Sequence, residues 1–401
     1  RGMLALPALW LLALGAGLTN VGFNWAVTVG DVVAAGNLLL QAGGASGTLT
    51  LAGDVGVSAG SMSLVAGANI DQQAGSRIGT SSVGGSVYLL SAGAIQQGAG
   101  AVITTSDAVT AGNVVLVAAV GDVSLANIAA GSGDVAIHAG GSIWGATVVD
   151  QATISANGLV LIAGGGVGAG VTETVNGALA ANFLSTAVTT LSANAGALGV
   201  YVDDVNGVAV ADLSVSANHI GLDGTTSIVS KDTNVFGLSA AAGGHVVLSA
   251  GGDLSVNRAV GVLGEGRIRL STSGGDLAVN AALTSDTGNI SLISDIGAIS
   301  QGAVAITTGG AGVDIAADKD VMMLAGGQIV TVYGSASGNL RMASGANLAV
   351  TGIDVGAASA SLIAGGSVTD AGESSVDIKA NALRLDTGLG VGLGSGVAFG
   401  L

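Results

Sequence analysis

The sequence predicts an all-β fold, a parallel β-helix (β-solenoid) of roughly 15 to 17 coils. Three observations carry that prediction. The first is an internal repeat of Gly, polar, apolar, any residue, apolar, which recurs as Gly36-Asn37-Leu38-Leu39-Leu40, Gly60-Ser61-Met62-Ser63-Leu64, Gly85-Ser86-Val87-Tyr88-Leu89 and Gly112-Asn113-Val114-Val115-Leu116. Further copies open at Gly133, Gly244, Gly266, Gly288 and Gly338, with looser ones near Gly158 and Gly312. Successive starts differ by 24, 25, 27 and 21 residues from Gly36 to Gly133, and by 22, 22, 24 and 26 from Gly244 to Gly338. The second observation is that apolar residues inside each copy alternate with small or polar ones, the two-residue period of a half-buried strand. The third is composition: 401 residues with 71 glycines, one proline, no cysteine, only 4 Phe, 3 Tyr and 3 Trp, and 49% apolar residues. That apolar content is enough for a packed core and excludes a disordered chain. Glycine without a three-residue period and a lone proline exclude collagen.

Each element of a coil follows from this pattern. The repeat itself supplies one strand. A second short strand follows eight or nine residues later, as at Gly121-Asp122-Val123-Ser124-Leu125, Gly252-Asp253-Leu254-Ser255-Val256 and Gly275-Asp276-Leu277-Ala278-Val279. Room remains for a third strand before the next copy begins. Gly, Asn and Asp mark the corners, where a positive φ is expected and is cheap for Gly and Asn. Coils stacked roughly 4.8 Å apart give a narrow interior that suits Ala, Val and Leu better than aromatics, and a rod on the order of 75 Å long. Proline is scarce because a strand paired on both sides needs every N–H.

Residues 166–243 blur the period. They still read as strands at Val200-Tyr201-Val202, Val208-Ala209-Val210 and Leu213-Ser214-Val215, with Asn206-Gly207 as a turn, so longer corners or a short lateral excursion are expected there. No linker separates the repeats, and one continuous repeat domain over residues 31–387 is expected between an N-terminal segment (1–30) and a C-terminal end (388–401). Met3 to Leu18 is uncharged and apolar and contains Pro7. With Arg1 before it and Gly15-Ala16-Gly17 after it, three readings stay open: a hydrophobic cap on the first coil, a segment that docks on another copy or a membrane, or a retained signal peptide. Residues 388–401 are glycine-alternating and apolar, which predicts self-association or continuation of a longer chain through the apolar ends.

Charge and motifs narrow the chemistry. The net charge is -16, and the first 230 residues hold twelve acids against Arg1 and Arg77, a field that repels phosphate backbones, so no nucleic acid partner is expected. Mean hydropathy is +0.72, yet after residue 20 no apolar run is long enough to span a bilayer as a helix. The absence of cysteine removes disulfides, thiolate metal sites and cysteine nucleophiles. His138, His219 and His245 lie far apart, which argues against zinc. Serine is abundant but lies in no Gly-x-Ser-x-Gly elbow before a helix, and no glycine-rich nucleotide loop is present. Asp203-Asp204 is the only adjacent acidic pair and is the place for a polysaccharide-directed acidic site, with an exposed turn as the plainer reading. Calcium has one partial motif: Gly309-Gly310-Ala311-Gly312-Val313-Asp314 opens like the calcium nonapeptide, but Ala316 stands where a bulky residue is expected and no second copy stacks on it. The Thr-x-Thr pairs of an ice-binding face occur only singly, at Thr48-Leu49-Thr50 and Thr172-Glu173-Thr174. No catalytic, cofactor-binding or metal-binding residue is therefore assigned, and no enzyme activity is expected.

The repeat style over roughly residues 30 to 385, as in Gly60-Ser61-Met62-Ser63-Leu64-Val65-Ala66-Gly67-Ala68-Asn69-Ile70 and Gly288-Asn289-Ile290-Ser291-Leu292, resembles the filamentous haemagglutinin family of large bacterial exoproteins. The resemblance implies a right-handed β-helix, export by an outer-membrane transporter, a location outside the cell or on its surface, and a role in adhesion or surface architecture. The Asn-Pro-Asn motifs of that family's secretion domain are missing, since Pro7 is the only proline. A structural or adhesive segment of a surface adhesin or self-associating filament is thus the expected function, with a polysaccharide-binding or polysaccharide-cleaving β-helix as the alternative.

Overall fold

The computed structural model describes residues 19–23, 25–105, 110–145, 152–168, 183–230, 236–371 and 376–392. The described residues hold no helix, and their parallel strands stack as a β-solenoid of about 14 turns. The described residues thus hold slightly fewer turns than the 15 to 17 expected from the full length, and residues 216–230 form an antiparallel hairpin instead of a coil. The segments Met3 to Leu18 and 393–401 lie outside the described residues. The chain forms two compact units, one of Arg1–Val188 with Leu213–Asn234, the other of Thr189–Asp212 with Val235–Leu401.

In the first unit the glycine-led repeat becomes the longest strand of each coil: Leu38–Ala42, Met62–Ala66, Val87–Ser91, Val114–Ala118, Val135–Ala139 and Gly158–Ala163. These pair in parallel without slippage, so that Leu40, Leu64, Leu89, Leu116, Ile137 and Leu161 form one inward column, fully buried. Burying each such side chain stabilises the fold by roughly 1.5–3 kcal/mol. Two shorter strands complete each coil, for example Leu49–Leu51 and Val55–Val57, which pair with Ile70–Gln72 and Arg77–Thr80 of the next. The second unit repeats the scheme through Val246–Ala250, Ile268–Thr272, Ile290–Ser294, Val313–Ala317, Leu340–Ser344 and Ser359–Ala364. Its inward column is Leu248, Leu270, Leu292, Ile315, Met342 and Leu362.

The polar residue of the repeat has a specific task. Its side chain accepts a backbone N–H from the following coil at a corner where strand pairing has not yet begun. Asn37 Oδ1 takes the Ser61 N–H at 2.8 Å, Asn113 Oδ1 the Asp134 N–H at 2.9 Å, and Asn289 Oδ1 the Gly312 N–H at 2.9 Å. The second strand carries its own ladder, with Asp253 Oδ1 on the Asp276 N–H at 2.9 Å and Asp276 Oδ1 on the Ala298 N–H at 2.8 Å. Without these acceptors each corner would leave a donor unanswered, which costs about 1–3 kcal/mol when it is buried.

Positive φ is found at corner glycines such as Gly75, Gly84, Gly100, Gly243 and Gly264, as expected, whereas the glycine directly before that polar residue is there chiefly for clearance. Among the glycines that open the repeats only Gly60, at φ 110°, lies in the left-handed region. At Gly112 and Gly288 a β-carbon would overlap the carbonyl oxygens of Gly85 and Gly266, the equivalent residues one coil earlier. Gly288→Ala is therefore expected to lower stability by about 1–3 kcal/mol through overpacking, whereas Gly261→Ala, whose β-carbon meets nothing within 4 Å, leaves it unchanged or slightly raised. Denaturation midpoints followed by circular dichroism separate the two.

Candidate functional site

The outward-facing central position of the long strands distinguishes the two units. In the first unit it is occupied in register by Leu39, Ser63, Tyr88, Val115, Ala136 and Val160, all buried. In the second it opens with half-buried Tyr201 and buried Val247 and then reads Arg269, Ser291, Asp314, Arg341, Ser361 and Arg384, these six half-buried or exposed. The cover over the first row is the segment from Leu213 to Ser230. Leu213 fills the space that a side chain at Gly158 would need, and Val215, Ala217 and Ile220 are buried. The lateral excursion expected between 166 and 243 is thus an antiparallel hairpin of Ser216–Ile220 and Thr226–Ser230. Leu213-Ser214-Val215 is not a strand, as the sequence suggested, but its lead-in.

The inner hairpin strand docks on side chains rather than on another strand. It crosses successive coils, with the Asn113 amide donating to the Ser216 carbonyl at 2.9 Å, the Asn218 N–H to Ser86 Oγ at 2.8 Å and the Ile220 N–H to Ser63 Oγ at 2.9 Å. The Asn218 side chain adds a bond to Ser61 Oγ at 3.0 Å. His219 meets the Tyr88 ring edge-on, with centroids 5.4 Å apart. At the tip, Gly224 adopts φ 80°, and Asp223 Oδ1 accepts both the Thr225 N–H at 3.0 Å and its hydroxyl at 2.7 Å. Those two bonds hold the Asp223 carboxyl below the usual carboxylate range.

The residues singled out in the sequence do not converge. Asp203 and Asp204 are neighbours on one strand, so they point to opposite faces: Asp203 is exposed, while Asp204 is buried and accepts the Asn206 N–H at 3.0 Å. His138 lies in register between Val117 and Ile162 on the outer surface of the first unit. His245 accepts the Arg267 N–H through Nδ1 at 3.1 Å and stands edge-on to Tyr201, with centroids 6.5 Å apart. Within the partial calcium motif, Asp314 pairs with the Arg341 guanidinium at 2.8 Å, a cation already in place. Among the described residues no three His, Asp or Glu side chains gather as a metal site. Thr48 and Thr50 flank Leu49 on the surface, and Thr50 is followed in register by Asp71, so no threonine array forms. Burial raises the Asp71 carboxyl above its ordinary value. Thr172-Glu173-Thr174 lies outside the described residues.

One concave feature was not anticipated. An open groove of about 380 Å³ in the second unit is lined by Asn194, Ser239, Gly261, Leu263, Thr284 and Asp286. Gly261 makes the dip, standing in register beside Ser239 and Thr284. Asp286 Oδ2 accepts the Gly264 N–H at 2.9 Å. Hydroxyls, an amide and one carboxylate on an apolar floor suit a neutral polyhydroxylated ligand better than an anion. The spacing of its lining residues over four separate strands gives no sequence-local signal for it. No protein-family model, curated protein or solved structure matches the chain.

Two outcomes are expected of the hairpin. Ile220→Asp places a charge in a dry contact and should make residues 213–230 cleavable by limited proteolysis while both units stay folded. Burial also raises the Tyr88 phenol above its ordinary value of 10.0, so the folded state favours the neutral ring. Its contribution is complete below about pH 10 and is lost as the pH rises beyond it. Protection of the hairpin amides, taken as the intrinsic exchange rate at each pH over the observed rate, should therefore fall above about pH 10 in the wild type and much less in Tyr88→Phe.

Proposed function

We propose that this β-solenoid is a structural or adhesive segment of a bacterial surface exoprotein of the filamentous haemagglutinin kind, acting outside the outer membrane by contact with a cell surface or with other copies of itself. The observation that carries this reading is the use made of the polar side chains. Asn37, Asn113, Asp253, Asp276 and Asn289 are engaged one by one in joining consecutive coils. The chain's repeating chemistry thus holds up a regular surface in each unit, and the two carboxylates of the acidic pair diverge. Export by an outer-membrane transporter belongs to the same reading.

The groove beside Gly261 favours a second reading, a polysaccharide-binding face. Two measurements separate the readings. Displayed on a non-adherent bacterium, the chain should confer attachment to host cells or clumping of the bacteria, and a glycan array with Asp203→Ala, Asp204→Ala and Asp286→Ala as controls should show neither turnover nor binding. Glycan binding lost only in Asp286→Ala would move the function to the groove, and turnover of any glycan would overturn the structural reading.

A further inference from the structure

We propose that the outer hairpin strand, Thr226–Ser230, is a pairing edge for the same strand of a second copy of this chain. The inference rests on the reading of the chain as a self-associating surface protein and names the surface involved. The hairpin stands on the first unit chiefly by its inner strand, whose free edge is met by Asn113, Ser86 and Ser63, and at its tip end the Thr226 hydroxyl accepts from the Asn37 amide at 3.5 Å. Because Asn218 and Ile220 turn their N–H groups toward those side chains, the alternating pattern of an antiparallel pair assigns the bonds within the hairpin to Ala217 with Val229 and His219 with Ser227. Thr226, Ile228 and Ser230 are then left with their N–H and C=O groups directed away from the body.

That edge lacks the devices by which edge strands are protected. Thr226, Ser227, Ile228 and Ser230 are exposed, Ile228 at 75%, and the strand contains no charge and no proline. The occupant follows from the strand's own symmetry. Antiparallel pairing centred on Ile228 sets Ile228 against Ile228 and Thr226 against Ser230 on one face, so that apolar meets apolar and hydroxyl meets hydroxyl there, with Ser227 against Val229 on the other. About six backbone hydrogen bonds close across the contact. An uncharged five-residue strand is also a place where two chains of net charge -16 can approach without setting carboxylates face to face. So short an edge gives a weak, concentration-dependent contact.

The absence of cysteine from the chain makes a direct test available. Directly opposed residues of a hydrogen-bonded antiparallel pair have Cα atoms about 5.5 Å apart, within disulfide reach. In the full chain, Ile228→Cys should oxidise to a covalent dimer roughly tenfold or more faster than Val120→Cys, a control site 78% exposed on the same unit. Sedimentation over a concentration series should show a dimer in the wild type that is lost in Ile228→Lys, a surface change that leaves the fold intact by circular dichroism. Equal disulfide rates at positions 228 and 120, or a dimer undiminished in Ile228→Lys, would overturn the proposal while leaving self-association through another surface. A wild type that stays monomeric throughout would overturn both the edge and the filament version of the function, and adhesion would then rest on the display assay alone.

Discussion

Everything in this molecule is subordinate to the hydrogen bonding of one coil to the next. A parallel strand stack fixes the distance between equivalent residues at about 4.8 Å, and every side chain and corner must be compatible with a copy of itself at that distance. The leucine columns satisfy it by stacking alike on alike, as Leu40, Leu64, Leu89 and Leu116 do. The glycines satisfy it by having no side chain where one coil's carbonyl approaches the next, as at Gly112 and Gly288. The corner Asn and Asp residues satisfy it by extending the ladder through their side chains where the backbone turns away from its partner. Serine and threonine do comparable work inside the turns, where Ser285 Oγ reaches the Gly288 carbonyl at 2.8 Å and Thr272 Oγ1 the Gly275 carbonyl at 2.8 Å.

The same constraint leaves the outer surface free, and there the two units part. Outward residues need only tolerate their neighbours in the column, so the first unit can carry Leu39, Tyr88 and Val115 and the second Arg269, Asp314 and Arg341. An apolar outer column is stable in water only under cover, and the hairpin supplies that cover together with hydrogen-bond partners for Ser63 and Ser86. A charged outer column needs no cover, and within it Asp314 pairs directly with Arg341. Exposed pairs of this kind add little stability, on the order of 0–1 kcal/mol.

The fold was legible in the sequence because its rules are local and repeated. Each glycine-led copy from Gly36 to Gly338 becomes a long strand, and the second strands at Val123, Leu254 and Leu277 fall where the alternation placed them. Corner glycines such as Gly84 and Gly243 do take the left-handed φ the sequence implied, but clearance between coils, the cause at Gly112 and Gly288, leaves the same mark on a sequence and could not be told from it. The hairpin's existence could be anticipated from the blurred period, but its docking could not. Ser61, Ser63, Ser86 and Asn113 are ordinary members of the repeat, and nothing near them announces that residues more than a hundred positions later will cross them. The groove at Gly261 was hidden for the same reason, being assembled from single residues on neighbouring strands. Asp203 and Asp204 show the converse: adjacency in sequence is the arrangement a strand converts into separation, because its side chains alternate.

Function in such a molecule is therefore read from its exceptions to the repeat. A residue that obeys the column rule is explained by the column, and Asn289 or Leu292 requires no further role. The hairpin obeys no column. It interrupts the coils, covers the apolar row that the first unit builds, and turns an uncharged strand edge outward in a chain that is otherwise acidic. A hairpin needed only as a cover would be complete with Leu213, Val215, Ala217 and Ile220, all of which precede its tip. The returning strand adds one flank of hydrogen bonds to the inner strand, its Thr226 hydroxyl accepts from the Asn37 amide, and the outer edge with Ser227, Ile228 and Ser230 is exposed. An edge of this kind is avoided in a protein that must remain alone and suits one whose task is to meet another strand.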